Sequence, residues 1–276
     1  AHNAIKVMEY GSMVDKVVVT GDIYDSQSHY SMWKTKYLLM DKNVGIDGEA
    51  RSVLLVTGNH EHTQNTSGVI REIYDLDTRE GLRNDFFENY SNNCIYHSEV
   101  MKNSNGYNRA MIILLDNQRD LYYDYLIDFF TADLELAREL NIPVLIFQHD
   151  PISSNNPNEK NLGIIGEENM GSGNPGGYYN LYDGSGKIGG PNAKTSYPID
   201  GPATQEMYEL IVNNSDIIKG IFCGHTHNNY YSEIICPDGS IIPQYILNTT
   251  FDISNIESAN TSINSGTLMH ITIENI

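Results

Sequence analysis

Four short apolar runs, each ending at polar residues, dominate the pattern of hydrophobic positions along the chain. They predict strands at 16–20, 52–57, 144–147 and 219–223. Continuous runs of β-branched and aliphatic residues are typical of strands that are buried on both faces, as in parallel sheets. Because the ligand site of an open α/β sheet lies outside the carboxyl ends of its strands, the polar residues after these runs are candidate site residues.

Helical periodicity separates several of these strands. Apolar positions recur every three or four residues over 29–40, in pieces over 66–90, and most clearly over 121–140. A short helix is also predicted at 206–212. The strand, helix and strand over 16–57 have the length of a parallel crossover. The apolar stripe of the third helix comprises Leu126, Phe129, Phe130, Leu134 and Ala137.

The last part of the chain alternates between apolar and polar residues, which is the period of half-buried strands. Such runs lie at 230–235, 241–247 and 267–273, with a turn signal at 237–240, and predict mainly antiparallel β structure. Another buried strand is predicted at 111–115. There is no internal repeat and no linker, so the economical interpretation is one α/β domain spanning the whole chain, residues 1–276.

The segment 151–204 has a different character, because Gly, Asn, Ser and Pro dominate it and no period can be found. A long segment without regular structure inside a compact domain is usually functional or disordered. Since it begins directly after His149 and Asp150, we interpret it as an insertion that forms a wall or lid over the site. A surface insertion without a function is the alternative interpretation.

Composition narrows the classes of function. The formal net charge of −19 disfavours general nucleic-acid binding, because phosphate backbones are bound by clustered Lys and Arg and the chain has no basic run. Phosphate can still be a substrate where bound cations set the local field. No stretch approaches the roughly 18 apolar residues of a membrane span. We therefore expect a soluble protein and leave its compartment, cytoplasmic or secreted, open. Cys223 is expected to be a small buried apolar residue.

The residues after the four main strands are of the types that bind metals or move protons. They are Asp22 after Gly21, Asn59 and His60 after Gly58, His149, and the pair His225 and His227 after Gly224. Imidazole and carboxylate suit zinc, iron and manganese, and a carboxylate can bridge two ions. A Gly-Asp pair alone is most often an ordinary turn, and Gly-His-Thr-His alone is as often a polar turn. Their occurrence together at four strand ends favours one metal site.

The four blocks resemble a known family. GDIYD at 21–25, GNHE at 58–61, QHDP at 148–151 and GHTH at 224–227 are similar, in this order and spacing, to the calcineurin-like metallophosphoesterases. The resemblance spans roughly 14–235, and the region around the last block also resembles the purple-acid-phosphatase-like branch. It implies a four-layer α/β/β/α sandwich with two mixed sheets, a two-metal site of manganese, iron or zinc ions, and a small phosphorylated substrate, either a monoester or a diester.

The resemblance also implies roles for the metal ligands. Asp22 would bridge the two ions. Asn59, His149 and His225 would complete the shell of one ion, and His227 would bind the other. A hydroxide bridging the ions would then be the nucleophile.

Three further residues carry roles by resemblance. His60 would contact the phosphoryl group and act as general acid to the leaving oxygen. Asp25 and Glu61 would orient ligands from behind them. Asp22, through the ions that it bridges, and His60 are thus the expected catalytic residues.

One departure from the family pattern bears on this assignment. The family's first block, an Asp-x-His after its first strand, has no counterpart upstream of Asp22, and we do not assign His2 as that ligand. We expect the given sequence to lack that strand; otherwise one ion would keep only Asp22 and His227. The alternative is a binding or scaffold module of the same fold with impaired catalysis. A mononuclear zinc hydrolase of another fold leaves Asp22 and Asn59 unexplained.

Overall fold

The structure is a computed structural model and describes part of the chain: 14–21, 52–56, 96–115, 117, 122, 125–152, 202–224, 229–247 and 269–273. The predicted helix at 29–40, the helical pieces at 66–90 and most of the insertion at 151–204 lie outside these residues. The insertion ends earlier than expected, since a helix already begins at Pro202.

The described residues form eight strands and two helices. The strands are β1 (Lys16–Val19), β2 (Ser52–Leu55), β3 (Tyr96–Lys102), β4 (Asn108–Leu115), β5 (Val144–Gln148), β6 (Ile218–Cys223), β7 (Tyr230–Ile235) and β8 (Ile241–Ile246). The helices are α1 (Tyr125–Leu140) and α2 (Pro202–Asn213). The fold is mixed α/β, as the sequence predicts.

Six of these strands form one mixed sheet in the order β3-β4-β5-β6-β8-β7, and β1 and β2 pair in parallel as a second sheet. β4, β5 and β6 are parallel neighbours, as expected for continuous apolar runs. The last part of the chain is less antiparallel than predicted. β7 and β8 form the expected hairpin, but β8 pairs in parallel with β6, and residues 269–273 form no strand.

The six-stranded sheet is covered on both faces. On one face α1 and α2 pack over a core that includes Ile113, Ile146 and Ile221. On the other face the β1–β2 sheet packs over Leu145 and Phe147, among others. This gives three layers (helix, sheet, sheet) among the described residues. The fourth layer of the expected sandwich stays a prediction.

The stripe of α1 is close to the expected one but not identical. Leu126, Phe130, Leu134 and Ala137 are buried, as predicted, whereas Phe129 is 54% exposed. Its ring stacks on Tyr96 of β3 with centroids 5.5 Å apart. Phe129 therefore lies at the flank of the stripe, because a step of three residues rotates a position to the edge of the buried face.

A charged contact joins the two sheets. Lys16 Nζ of β1 lies 2.7 Å from Glu99 Oε1 of β3, and His97 Nε2 lies 3.5 Å from Glu99 Oε2. Burial alone would raise the pKa of Glu99, but its contacts with His97 and Lys16 outweigh burial and lower that pKa. The contact helps to fix β1 against the larger sheet. Neither described helix is long and apolar enough to cross a membrane.

Candidate metal centre

The ends of all four predicted strands are linked by hydrogen bonds in the structure. His149, which follows β5, has its ring Nδ1 2.6 Å from the carbonyl oxygen of Thr20, which follows β1. The N–H of Gly224, which follows β6, donates to the carbonyl oxygen of His149 at 3.0 Å. β2 is tied to the same place, because the N–H of Val56 donates to the carbonyl oxygen of Val19 at 2.9 Å. The carboxyl ends of the strands thus form one rim, as the topology rule predicts.

The contact with Thr20 fixes a proton on Nδ1 of the His149 ring. A carbonyl oxygen can only accept, so Nδ1 must carry the proton that it donates. In the neutral ring Nε2 then carries the lone pair, which is the arrangement of histidines that bind metals through Nε2 and donate through the other nitrogen to a backbone carbonyl. The imidazole is 1% exposed. This buried, oriented imidazole fits a metal ligand.

Two glycines allow the strand ends to approach. A Cβ on Gly224 would lie 2.9 Å from the Thr20 carbonyl oxygen, 3.0 Å from Thr20 Oγ1 and 3.4 Å from His149 Nδ1. Gly21 has a φ of 92°, a left-handed conformation that glycine adopts readily and other residues rarely do. Gly21 therefore permits a sharp turn shortly after β1, and Gly224 permits the close approach of the end of β6 to Thr20.

Buried polar side chains lie next to His149 and are hydrogen-bonded to the neighbouring backbone. Asn117 and Gln148 are fully buried and contact the backbone of Asp150. Burial raises the pKa of the Tyr122 phenol and of the Cys223 thiol, so both stay neutral at physiological pH. Cys223 is buried at 0% exposure, as predicted. Tyr122 and Cys223 therefore add no phenolate or thiolate charge near the imidazole, whereas the buried carboxyl group of Asp150 has Oδ1 4.0 Å from His149 Nε2.

Most of the predicted site residues lie outside the described part of the chain. They are Asp22, Asp25, Asn59, His60, Glu61, His225 and His227. Within the described ranges no three His, Cys, Asp or Glu side chains come together as a metal site. The structure brings together the residues next to two of the missing ligands, Gly21 and Gly224, with His149 itself. The convergence of the full ligand set stays a prediction.

Some residues at the rim carried no role in the sequence analysis. The carbonyl of Thr20 orients His149, and the side chains of Asn117 and Gln244 bind the backbone beyond it. The sequence pattern could have identified Gln244, because this residue lies on the buried face of β8 between Ile242 and Ile246. A polar side chain in an apolar alternation marks a position where its hydrogen bonds are required.

The solved structures that are similar to the chain include the following two. A dimetal phosphatase from Danio rerio shares 13% identity over 90% of this chain and 77% of its own, with a TM-score of 0.48. A putative 5′-nucleotidase from Staphylococcus aureus shares 10% identity over 91% of this chain and 43% of its own, with a TM-score of 0.47. Neither likeness is close enough to indicate a substrate. No curated protein matches the sequence.

The family model described as calcineurin-like phosphoesterase matches residues 2–229, which is more than half of the chain. The match contains all four motif blocks and the strand ends that meet at His149. The chain therefore belongs to the calcineurin-like phosphoesterase family and is a metal-dependent hydrolase of phosphoric esters.

Proposed function

We propose that the chain hydrolyses a small phosphorylated substrate at a two-metal centre on the rim of its strands. The observation that carries the proposal is the junction of β1, β5 and β6, where Thr20 holds the buried imidazole of His149 in the tautomer of an Nε2 ligand. The ligands that we assign are Asp22, Asn59, His149, His225 and His227. Gly21 and Gly224 stand directly before two of them.

The donor types indicate which ions fit. One carboxylate, one amide oxygen and three imidazoles form a mixed oxygen and nitrogen set, which suits manganese, iron and zinc. Asp22 has two carboxylate oxygens and is the residue that can serve both ions. By resemblance to the family, Asn59, His149 and His225 would bind one ion and His227 the other.

The chemistry divides between the ions and the protein. When bound, two such ions lower the pKa of a water to supply the nucleophile and neutralise charge on the phosphoryl oxygens. His60 contacts the phosphoryl group and gives its proton to the leaving oxygen. Asp25 and Glu61 orient the ligands by hydrogen bonds.

The negative net charge of the protein makes substrate binding depend more strongly on metal. At −19 the protein repels a phosphorylated substrate over long range, so the attraction must come from the site itself. Bound cations are the largest local charges in such a site. We therefore propose that substrate binding as well as catalysis requires the ions.

The remaining assignments concern selectivity and organisation. We propose one domain over 1–276, with the segments 62–70 and 151–204 as the loops that select between monoesters and diesters. Pro151 and Ile152, the first residues of the longer segment, are buried directly beyond the turn of His149. The purple-acid-phosphatase-like branch stays a prediction.

Removal of metal tests the proposal. The purified chain is expected to carry two ions and to hydrolyse a generic aryl phosphate. A chelator should abolish the hydrolysis, because the nucleophile and the phosphate-binding charge both depend on the ions, and added manganese, iron or zinc should restore it. Elemental analysis and an assay with and without manganese measure this. A folded chain without metal or metal-dependent turnover would instead indicate a binding or scaffold module of this fold.

Substitution of Gly224 by alanine provides a second test. The new Cβ would press on the Thr20 carbonyl oxygen, a backbone atom, and would separate the ends of β1 and β6. We expect unfolding to become easier by about 1–3 kcal/mol. We also expect metal affinity to fall roughly 10-fold or more, because His149 loses its fixed orientation. Thermal unfolding and metal titration measure the two effects.

Gly220 in the same strand is the matched control. A Cβ there would meet the ring of Phe222 at 3.1 Å, away from the rim. Gly220→Ala is expected to lower stability while leaving metal affinity unchanged. If both variants lose stability and neither loses metal, the junction at Gly224 has no part in the centre.

A further inference from the structure

Two buried carboxamides bind the backbone of the residues that follow His149. The first is Asn117, which is 0% exposed. Its Oδ1 accepts from the N–H of Asp150 at 3.1 Å, and its Nδ2 donates to the carbonyl oxygen of the same residue at 2.6 Å. One side chain thus satisfies both backbone polar groups of Asp150.

The second carboxamide is Gln244 of β8, which makes the same two-point contact with Ile152. Its Oε1 accepts from the N–H of Ile152 at 2.8 Å, and its Nε2 donates to the carbonyl oxygen of Ile152 at 2.8 Å. Nε2 also donates to Ser232 Oγ at 2.8 Å, so both amide hydrogens are used. Gln244 is 0% exposed and cannot exchange these bonds for water.

A third amide closes the network. The hydroxyl of Tyr122 donates to Gln148 Oε1 at 2.7 Å, which leaves Gln148 Nε2 to donate to the carbonyl oxygen of Asp150 at 2.8 Å. That carbonyl oxygen therefore accepts two hydrogen bonds, one from Gln148 and one from Asn117. The backbone N–H and carbonyl of Asp150 are thus both hydrogen-bonded, and buried backbone groups held in this way specify one arrangement.

The position of these contacts along the chain separates them from ordinary core packing. The parallel ladder between β4 and β5 ends at the pair Leu115 and Gln148. Beyond that pair Asp150 lies in no strand and Ile152 forms only an isolated β-bridge, and the side chains of Asn117 and Gln244 bind the N–H groups of these two residues. Regular sheet bonding does not depend on side-chain identity, whereas these four bonds to Asp150 and Ile152 require a carboxamide at each of the two positions.

We propose that Asn117 and Gln244 are positioning residues that hold the backbone of 150–152 and so fix His149 before any metal binds. Thr20 orients the imidazole through its contact with Nδ1. The two carboxamides hold the backbone of the residues that follow His149. The proposal rests on the role of His149 as a metal ligand, which is part of the proposed function. It adds that the site is organised in the metal-free protein by side chains that touch neither metal nor substrate.

Amide hydrogen exchange on the metal-free wild-type protein gives the first test. The N–H groups of Asp150 and Ile152 are expected to exchange as slowly as those in the centre of β5, although Asp150 lies in no strand and Ile152 forms only an isolated β-bridge. This result does not depend on metal or on activity. Fast exchange at both positions, with slow exchange only after metal is added, would overturn the proposal, because the metal would then organise the turn.

The second test compares metal affinity in Asn117→Leu and Gln244→Met, which keep the approximate size of each side chain and remove its amide. Each is expected to bind zinc or manganese 10- to 100-fold more weakly. Saturating metal should restore most of kcat for an aryl phosphate, and KM should change little. The control Ile211→Ala leaves a cavity under α2 and should lower the melting temperature without a change in metal affinity.

The outcomes separate this inference from the proposed function. If the wild type binds metal and both amide variants bind it equally well, the positioning role is wrong and the proposed function stands. If the wild type binds no metal, the proposed function fails. The exchange rate at Asp150 and Ile152 then still shows whether the two carboxamides hold the backbone of 150–152. If an amide variant does not fold, the exchange measurement on the wild type decides.

Discussion

Replacing Asp22 with alanine is expected to remove bound metal and hydrolysis together. In the proposed site, Asp22 of the GDIYD block would supply the carboxylate shared by both ions, so its loss should weaken both sites at once. The ions contribute several kcal/mol of transition-state stabilisation, and each ~1.4 kcal/mol corresponds to a factor of ten. Turnover should therefore fall by at least about 10³-fold. Elemental analysis of the purified variant and an aryl phosphate assay measure the two losses.

Asp15 provides a matched control at the opposite end of the same strand. It is an exposed aspartate directly before β1, whereas Asp22 follows its carboxyl end. Asp15→Ala should keep the wild-type metal content and turnover, because removing one exposed charge from an acidic protein changes little. An Asp22→Ala protein that still carried two ions would refute the bridging role.

The strands that position the site could be predicted because their sequences are distinctive. β5 and β6 are continuous apolar runs between turn signals, and parallel strands that are buried on both faces require such sequences. β3 was not predicted, because its sequence YHSEVMK mixes charged and apolar residues at partly exposed positions. It stands at one end of the strand order and pairs on one side with β4. A strand at the end of the strand order needs fewer apolar residues, so its hydrophobic pattern in the sequence is weaker.

The run at 267–273 was predicted as a strand because it alternates, and alternation alone was not sufficient. Ile271 and Ile273 do pack against the core between the sheets, while Met269 and His270 are exposed. Residues 269–273 nevertheless join no strand ladder. The alternation predicted the inward side chains of Ile271 and Ile273 but not the exposure of Met269, and a ladder also needs a neighbouring strand in register, which local sequence does not specify.

Some contacts of the candidate site could likewise be predicted from the sequence, and others could not. The meeting of Thr20, His149 and Gly224 follows from a general rule about strand ends, so the sequence was enough to predict it. The contact of Gln244 with Ile152 spans 92 residues of sequence and joins two side-chain atoms to one particular peptide. No local pattern contains such a pairing, because tertiary packing decides which backbone groups a buried amide reaches.

Replacing His60 with alanine is expected to lower kcat while leaving the metal content near that of the wild type. A positioned general acid contributes about 10²–10⁴-fold, and we expect a loss in this range for an alkyl phosphate. The loss should be much smaller for a nitrophenyl phosphate, because a phenolate of low pKa leaves without protonation. The alkaline limb of the kcat profile should also disappear for the alkyl substrate, since it reports deprotonation of the acid. Steady-state kinetics with both substrates across pH measure these effects.

His270 is the control, because it is a histidine that the structure shows exposed and outside the strands. His270→Ala should change neither kcat nor the dependence on the leaving group. Equal metal loss in the variants of His60 and Asp22 would make His60 a ligand rather than an acid. An equal loss of kcat for both leaving groups, with metal retained, would mean that His60 stabilises the phosphoryl group throughout the reaction and that the proton comes from elsewhere. The comparison of leaving groups thus separates proton transfer from charge stabilisation, which a single substrate cannot do.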